Sequence, residues 1–426
     1  MNGLTRRDVL RLAGIGGASL LVGCGDNEPP RDPGTTHGAI VLEPDSDSFL
    51  VAVWSSVAKT VAVEVQTGDA IAFANAAEID DAQHAVIDVR GLEPATTYQV
   101  TLVADNGVRM GPYRVRTAPR PEDPRPVSIA VSADLDPSPE FTSDLLEHVA
   151  AASPDLFVSL GDFPYTDNGP PAMTVEQYRE RHVELLTSPR VRAWLQSSGV
   201  RAIYDDHEFR NDWDAMFRIA EASRYAAAMQ VWDEFFPLRG AAVDEIRYRS
   251  WRWGAQVECF LLDARRFRSA NAAPDDASKT MLGEYQRAWL IDGLTRSSAP
   301  FKLVFTSVPL DFGYGNDHWA AYTTERQLIF DAIAGVPGIL FVSADQHWFG
   351  AHRHTRGIRE FQVGPLARGV IAPPPETPPG VLFRSPRYNF GLIEIEGEQL
   401  TFTGIGADGE RFYKETLTVA DLTPAA

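Results

Sequence analysis

The sequence predicts an α/β domain preceded by a small all-β sandwich, and three observations carry that expectation. From Val127 onward, buried-type apolar runs alternate with longer amphipathic stretches, the pattern of strands and helices in turn. From His37 to Ala118, short alternating runs are separated by turn residues. Between the two, Thr117 to Pro124 holds three prolines in eight residues, as a linker does. With 426 residues, 39 Lys+Arg against 58 Asp+Glu and a formal charge of −19, the chain is long enough for more than one domain and lacks the basic balance of a nucleic-acid binder. Hydrophobic residues at 44% and charged residues at 23% exclude disorder, collagen and coiled coil as the main class.

Residues 1–34 read as an address and a tether. Arg6 and Arg7 precede an apolar run, Leu12 to Gly23, too short to span a bilayer, which is the order of a twin-arginine export signal. Leu21-Val22-Gly23-Cys24 resembles a bacterial lipobox, so Cys24 is expected to carry the lipid and hold the protein to a membrane as a periplasmic or cell-surface lipoprotein. Pro29, Pro30 and Pro33 among acidic residues leave no apolar period, and the segment reads as an exposed tether. With Cys24 so used, Cys259 is left as a buried core thiol and no disulfide is expected.

In residues 37–118, Phe49 to Trp54 and Thr60 to Val65 alternate as half-buried strands do. Gly91 to Val100 resembles the strand entry of a fibronectin type III domain, with Tyr98 as its corner tyrosine and Trp54 as its core aromatic. No cluster of His or carboxylates there suggests chemistry.

The domain at 125–426 has strand-like runs at Val127–Val131, Leu156–Leu160, Val200–Tyr204, Leu303–Thr306 and Ile339–Val342. Helices are expected at Glu140–Ala151, Val175–Leu186, Ala215–Phe235, Glu284–Leu294 and Thr324–Ile333. Polar motifs follow four of the strands: Ser132 to Asp136, Gly161 to Tyr165, Asp205 to Glu208 and Ser343 to Trp348. In open α/β sheets such loops meet in one crevice, where isolated buried charges are costly unless paired or metal-bound. Carboxylates, a phenol and an imidazole without a nearby thiolate suit iron, manganese, zinc or calcium. A cation held there binds phosphate-type oxygens and activates water, and His207 is placed to protonate a leaving oxygen.

Five segments, Gly161 to Tyr165, Asp205 to Trp213, Leu262 to Arg265, Leu282 to Leu290 and Ser343 to Trp348, resemble the alkaline phosphatase D (PhoD-like) metallophosphatases. The resemblance implies a four-layer metallophosphoesterase sandwich of two mixed sheets flanked by helices. It implies ferric iron and calcium as cofactors and phosphate esters as substrates. By the same resemblance Asp162, Tyr165, Asp206, Asp345 and His347 are metal ligands, His207 is the general acid and Asn211 contacts phosphate. Arg210 is the one cation the motifs place beside them. Where the family has a Ser-Cys pair whose thiolate binds iron, this chain has Ser132-Ala133. Asp134 or Asp136 would replace the thiolate, and Asp134 is preferred as nearer the strand end. An all-oxygen-and-nitrogen site takes Zn2+, Mn2+ or calcium as readily as iron.

Of the neighbours Asp205 and Asp206, Asp206 is taken as the ligand, and Asp205 as a helix cap or a partner of Arg210. His352 and His354 are assigned to an exposed strand or to a metal cluster, and Trp251 and Trp253 to hairpin packing. The resulting expectation is an exported, lipid-anchored metal-dependent phosphoesterase. Its alternatives are a phosphodiesterase or phospholipase D-like enzyme on lipid or cell-wall polymers, and a non-catalytic ligand-binding lipoprotein.

Overall fold

The computed structural model describes residues 36–138, 141, 143–239 and 246–426. The twin-arginine and Cys24 readings fall outside the described residues. Seven strands open the described chain: β1 (His37–Leu42), β2 (Ser48–Ser55), β3 (Thr60–Thr67), β4 (Ala70–Glu78), β5 (His84–Arg90), β6 (Thr97–Ala104) and β7 (Arg109–Arg116). A four-stranded sheet in the order β4-β3-β6-β7 packs against the neighbouring strands β1, β2 and β5. Their shared core is made by the inward set of each alternating strand, including Val41, Val51, Val53, Val63, Val100 and Val115. The Tyr98 hydroxyl accepts the Glu93 N–H at 2.9 Å, as a corner tyrosine does.

Trp54 departs from expectation. With Ile40, Leu50 and Ala52 it points out of the sandwich and into the core of the following domain. Strands β1 and β2 are buried on both faces, so their alternation separates two cores rather than core from water.

Downstream come β8 (Val127–Ser132), α1 (Leu145–Ala152), β9 (Leu156–Ser159), α2 (Val175–Thr187), α3 (Pro189–Leu195), β10 (Val200–Ala202), α4 (Ala215–Ala220) and α5 (Ala222–Phe235). Then follow β11 (Arg249–Trp253), β12 (Val257–Leu261), α6 (Gly283–Arg296), β13 (Phe301–Phe305), α7 (Thr323–Ala332) and β14 (Ile339–Ser343). The chain closes with β15 (Phe349–Arg353), β16 (Arg359–Gln362), β17 (Val381–Ser385), β18 (Asn389–Glu396), β19 (Gln399–Gly406) and β20 (Arg411–Thr418).

These strands complete a mixed α/β fold. One sheet has nine strands in the order β20-β19-β18-β8-β9-β10-β1-β2-β5, the other seven in the order β11-β12-β13-β14-β16-β15-β17. Ile129, Val131 and Val158 of the first meet Leu261, Phe305 and Val342 of the second in a central core that also buries Cys259. Tyr178, Leu185, Trp194 and Trp232 cover the outer face of the nine-stranded sheet, and Leu290, Leu294 and Ile329 cover that of the seven-stranded sheet. Trp251 pairs with Cys259 across the expected hairpin.

Three local expectations are corrected. α1 starts at Leu145, later than Glu140. The helix expected over 215–235 breaks at Glu221, whose φ of −120° and ψ of 44° leave the helical region while its carboxylate pairs with Arg210 and Arg224. The short α3 was not foreseen; Pro189 opens it, as proline at the first helical position does.

The amino-terminal strands and the α/β part share one sheet, because β1 runs parallel to β10 with Leu42 opposite Val200. Glu43, buried just past β1, accepts from Arg201 Nη1 at 2.7 Å and from Arg249 Nε at 3.0 Å. Burial alone would raise its carboxyl, but Arg249 and Arg201 hold it below the usual range. Past the end of β1 the two parts are therefore also joined by a buried ion-pair cluster.

His182 on α2 gives this core a pH dependence. Its Nδ1–H donates to the Tyr178 carbonyl at 2.9 Å, and Nε2 is buried without a partner among the described residues. Burial, with the nearby His84, lowers the imidazole from 6.5 to about 4, although the Tyr178 carbonyl and Glu234 pull upward. The folded chain therefore keeps His182 neutral while the unfolded chain takes up a proton below 6.5, so stability is full above 6.5 and falls as pH drops toward 4. The loss at pH 5 is about 2 kcal/mol. Urea midpoints at pH 7 and pH 5 test this: His182→Phe should shrink the difference by about that amount, and an undiminished difference would refute it.

Candidate metal centre

Parallel strands of both sheets end at one crevice, and the motif residues lie just past those ends: Asp134 after β8, Asp162 after β9, Asp206 after β10, and Asp345 with His347 after β14. Asp134, Asp162, Asp345 and His347 have φ of 61°, 54°, 77° and 61°, a left-handed backbone that non-glycine residues seldom adopt. Such residues cost about 1–3 kcal/mol each and persist where the surroundings enforce them. Two glycines do part of that. Gly161, at φ 109°, lies so close to the next loop that a Cβ would come within 2.5 Å of Asp205. A Cβ on Gly364 would collide with the Asp134 carboxylate.

Ligand atoms of Asp134, Asp162 and His347 lie within 4.8 Å of one another, as do those of Asp162, Asp206 and His207, and of Asp205, Asp206 and Asp345. His347 Nδ1–H donates to the Gly369 carbonyl at 2.6 Å, which leaves Nε2 as the lone-pair nitrogen. The Tyr165 hydroxyl donates to that nitrogen at 3.0 Å. Burial is the main reason that His347 is lowered to about 4, so it is neutral and able to ligate.

The donor set fits hard or borderline cations. Both oxygens of Asp134 and Oδ1 of Asp206 are buried with no hydrogen-bond partner among the described residues. Burial, then the neighbouring aspartates, pushes the carboxyls of Asp134, Asp162 and Asp345 well above the usual range. The Tyr165 phenol is raised in the same way, by burial and then by Asp162 and Asp134. Left to the protein alone these groups would hold protons; a cation relieves the same repulsion by replacing them.

A guanidinium already neutralises part of the cluster. Arg265, fully buried, binds Asp205 through Nε at 2.5 Å and Nη2 at 2.9 Å, and Asp317 through Nη1 at 2.6 Å. It stands 3.7 Å from Asp206 and 3.8 Å from Asp345. Burial opposes ionisation of Asp206, yet Arg265 and His207 keep its carboxyl below the usual range.

His207 sits beside Tyr165, ring centroids 4.2 Å apart, and its Nδ1 bonds the Asp167 carboxylate at 2.6 Å. Burial would lower it, but Asp206, Asp167 and Glu208 carry the imidazole up to about 9. Glu208 ties the loops together, accepting the Phe163 N–H at 2.7 Å and the Asp205 N–H at 2.9 Å.

A model of the PhoD-like phosphatase family matches residues 139–377, more than half of the chain. The chain belongs to the PhoD-like phosphatase family. Alkaline phosphatase D of Bacillus subtilis (strain 168) is 25% identical over 308 residues, which cover 61% of this chain and 52% of that protein, so the match spans about half the length of the relative. The solved structure of PhoD superposes with a TM-score of 0.79 at 19% identity, over 89% of this chain and 88% of that one. A purple acid phosphatase from yellow lupin (Lupinus luteus) seeds does so at 0.67 and 12% identity, over 90% and 75%. At these identities the two structures report on the fold.

Within this PhoD-like phosphatase the six proposed ligands lie together, and the two proposed substrate contacts lie at the exposed edge. Arg210 is spent on Glu221 at 2.9 Å, over the Phe217 ring, with its side chain 48% exposed. Asn211 is exposed at the rim, its N–H bound to Asp167 Oδ2 at 2.9 Å. Asp205 pairs with Arg265 rather than Arg210. Asp136 turns away from the centre, toward the Ser138 N–H, Asn168 and Arg368. His352 is buried on β15, not exposed, and shares Glu360 with His354. Asp167, Asp317, Arg265 and Arg368 were missed. Arg265 lay inside a quoted motif, whereas the others carried no local pattern.

Gly161→Ala tests the backbone that sets this geometry. The added methyl meets Asp205 and the positive φ opposes it, so the variant should lose about 2–3 kcal/mol of stability and part of its bound metal. Denaturation and metal analysis at wild-type levels would contradict the constraint.

Proposed function

We propose that the chain is a metal-dependent phosphoesterase that hydrolyses phosphate esters. The observation that carries this reading is the set of buried carboxylate oxygens on Asp134 and Asp206 that accept no hydrogen bond among the described residues, packed against Asp162 and the lone-pair nitrogen of His347. Membership of the PhoD-like phosphatase family supports it. Asp134, Asp162, Tyr165 and His347 would hold one cation, and Asp206 with Asp345 a second. Bound there, the metals supply a Lewis acid for the phosphoryl oxygens and activate water for an in-line displacement. Among the described residues the donors at this site are oxygen and nitrogen, with the Cys259 thiol buried between the sheets, so zinc, manganese and calcium fit as well as iron.

The protein's own share is proton supply and orientation. Asp167 occupies His207 Nδ1 and fixes the ring, leaving Nε2 for the reacting ester. Held protonated by Asp206 and Asp167, His207 gives its proton to the departing alcohol oxygen and is recharged from solvent. Glu208 keeps the Asp162 and Asp206 loops in register for that transfer. The finer fold reading belongs to the same proposal: a four-layer metallophosphoesterase sandwich behind a fibronectin type III-like domain, with domains at 37–118 and 125–426.

Nitrophenyl phosphate turnover at alkaline pH, before and after chelation, tests the reading. Turnover should vanish with chelator and return with metal, and His207→Ala should cost about 10²–10⁴-fold. An Asp162→Ala, His207→Ala double variant as active as wild type would overturn it.

Export and anchoring are proposed from the sequence. Arg6-Arg7 would direct folded export and Cys24 would carry the lipid at the periplasmic or cell-surface membrane. Cys24→Ser should move the protein from the membrane to the soluble fraction, and retention there would count against the anchor.

A further inference from the structure

Arg368 is a cation beside the proposed metal ligands that no motif contains. It lies on the loop after β16, and that loop is joined to the site on both sides. The Ala367 N–H donates to the Asp134 carbonyl at 3.1 Å, and the Asp136 N–H to the Ala367 carbonyl at 3.0 Å. The next residue, Gly369, supplies the carbonyl that sets the His347 tautomer. The backbone carrying Arg368 is therefore positioned by the same contacts that position Asp134 and His347.

Its side chain is aimed as well as placed. The guanidinium carbon lies 4.5 Å from the Tyr165 ring centroid and 4.1 Å from that of Phe141. Nη1 donates to Asp136 Oδ2 at 3.0 Å, and Asn168 Nδ2 steadies the same oxygen at 2.8 Å. Aromatic contact and one ion pair hold the guanidinium while leaving its other donors unspent. Among the described residues, Nε and Nη2 take no hydrogen bond, and the side chain is 21% exposed.

Two other arginines near the crevice lack this freedom, and a third is turned to a surface glutamate. Arg265 and Arg268 are fully buried and held by Asp205 and Asp317. Arg210 pairs with Glu221. A guanidinium with free donors beside a cation site is the group that binds phosphoryl oxygens in a fork.

We propose that Arg368 binds a non-bridging oxygen of the substrate's phosphoryl group and thereby favours phosphate monoesters over diesters. The proposal rests on the phosphoesterase reading. A monoester is close to a dianion and a diester a monoanion, and attraction to a fixed charge scales with the charge it meets. Loss of Arg368 should therefore penalise the monoester more.

The metal-loaded full-length protein and its Arg368→Gln and Arg368→Lys variants provide the test, with inorganic phosphate binding by calorimetry and kcat/KM for nitrophenyl phosphate and bis(nitrophenyl) phosphate. Arg368→Gln should weaken phosphate binding and monoester kcat/KM by at least about tenfold, as loss of a charge-assisted hydrogen bond does, and diester kcat/KM by clearly less. Metal content should hold, and Arg368→Lys should recover part of the loss. Unchanged phosphate binding, or equal losses on both esters with loss of metal, would overturn the proposal and leave Arg368 a structural support for Tyr165. Wild type inactive on both esters would instead sink the phosphoesterase reading, and weaker phosphate binding in Arg368→Gln would still establish the anion contact.

Discussion

The organisation of this molecule turns on one buried guanidinium. Arg265 sits where loops from both sheets converge, and without it Asp205, Asp317, Asp206 and Asp345 would face one another in a low-dielectric interior. Removing such a charge from water costs several kcal/mol, and only dense pairing offsets it. Asp205 accepts two bonds, and also accepts the Ser307 hydroxyl at 2.5 Å, while Asp317 adds an ion pair at 2.6 Å. That pairing divides the acidic cluster. Asp205 and Asp317 are ion-paired with Arg265 at 2.5 and 2.6 Å, whereas among the described residues both oxygens of Asp134 and Oδ1 of Asp206 accept no hydrogen bond.

The crevice that collects these loops depends in turn on close backbone contact. Gly161 lets the Asp162 loop lie against Asp205, Gly364 lets the Asp134 carboxylate occupy the space a side chain would fill, and Glu208 binds two loops through one carboxylate. The left-handed backbone at Asp134, Asp162, Asp345 and His347 is the strain that results. The amino-terminal strands belong to the same framework. Three of them, β1, β2 and β5, extend the nine-stranded sheet, and Glu43 just past β1 is buried against Arg201 and Arg249.

Much of this was legible beforehand because it is local. Strand-exit motifs place Asp134, Asp162, Asp206, Asp345 and His347 at loop starts whatever the rest of the chain does. Asp134 was preferred to Asp136 only as nearer the strand end; it is the tertiary contacts with Ser138, Asn168 and Arg368 that turn Asp136 away. Trp54 was misread because a strand's period of two says that its faces differ, not what covers each face. Arg210 was misread for a related reason: adjacency to a motif gives no information about the surface glutamate, Glu221, that captures it.

The sequence by itself determined the order of strands and helices, the convergence of acidic loops, and a site of oxygen and nitrogen donors in place of the family's thiolate. The first two follow from residue type and short-range periodicity; the third follows from the family resemblance, which puts Ala133 where the family has its cysteine. Only the tertiary structure decided which carboxylates are neutralised from within, that Asp167 holds His207, that two cores share β1 and β2, and that Arg368 lies over Tyr165 while Arg210 turns to Glu221. Those outcomes depend on contacts between segments as far apart as Asp136 and Arg368, whose distance in space is set by sheet order and not by spacing along the chain.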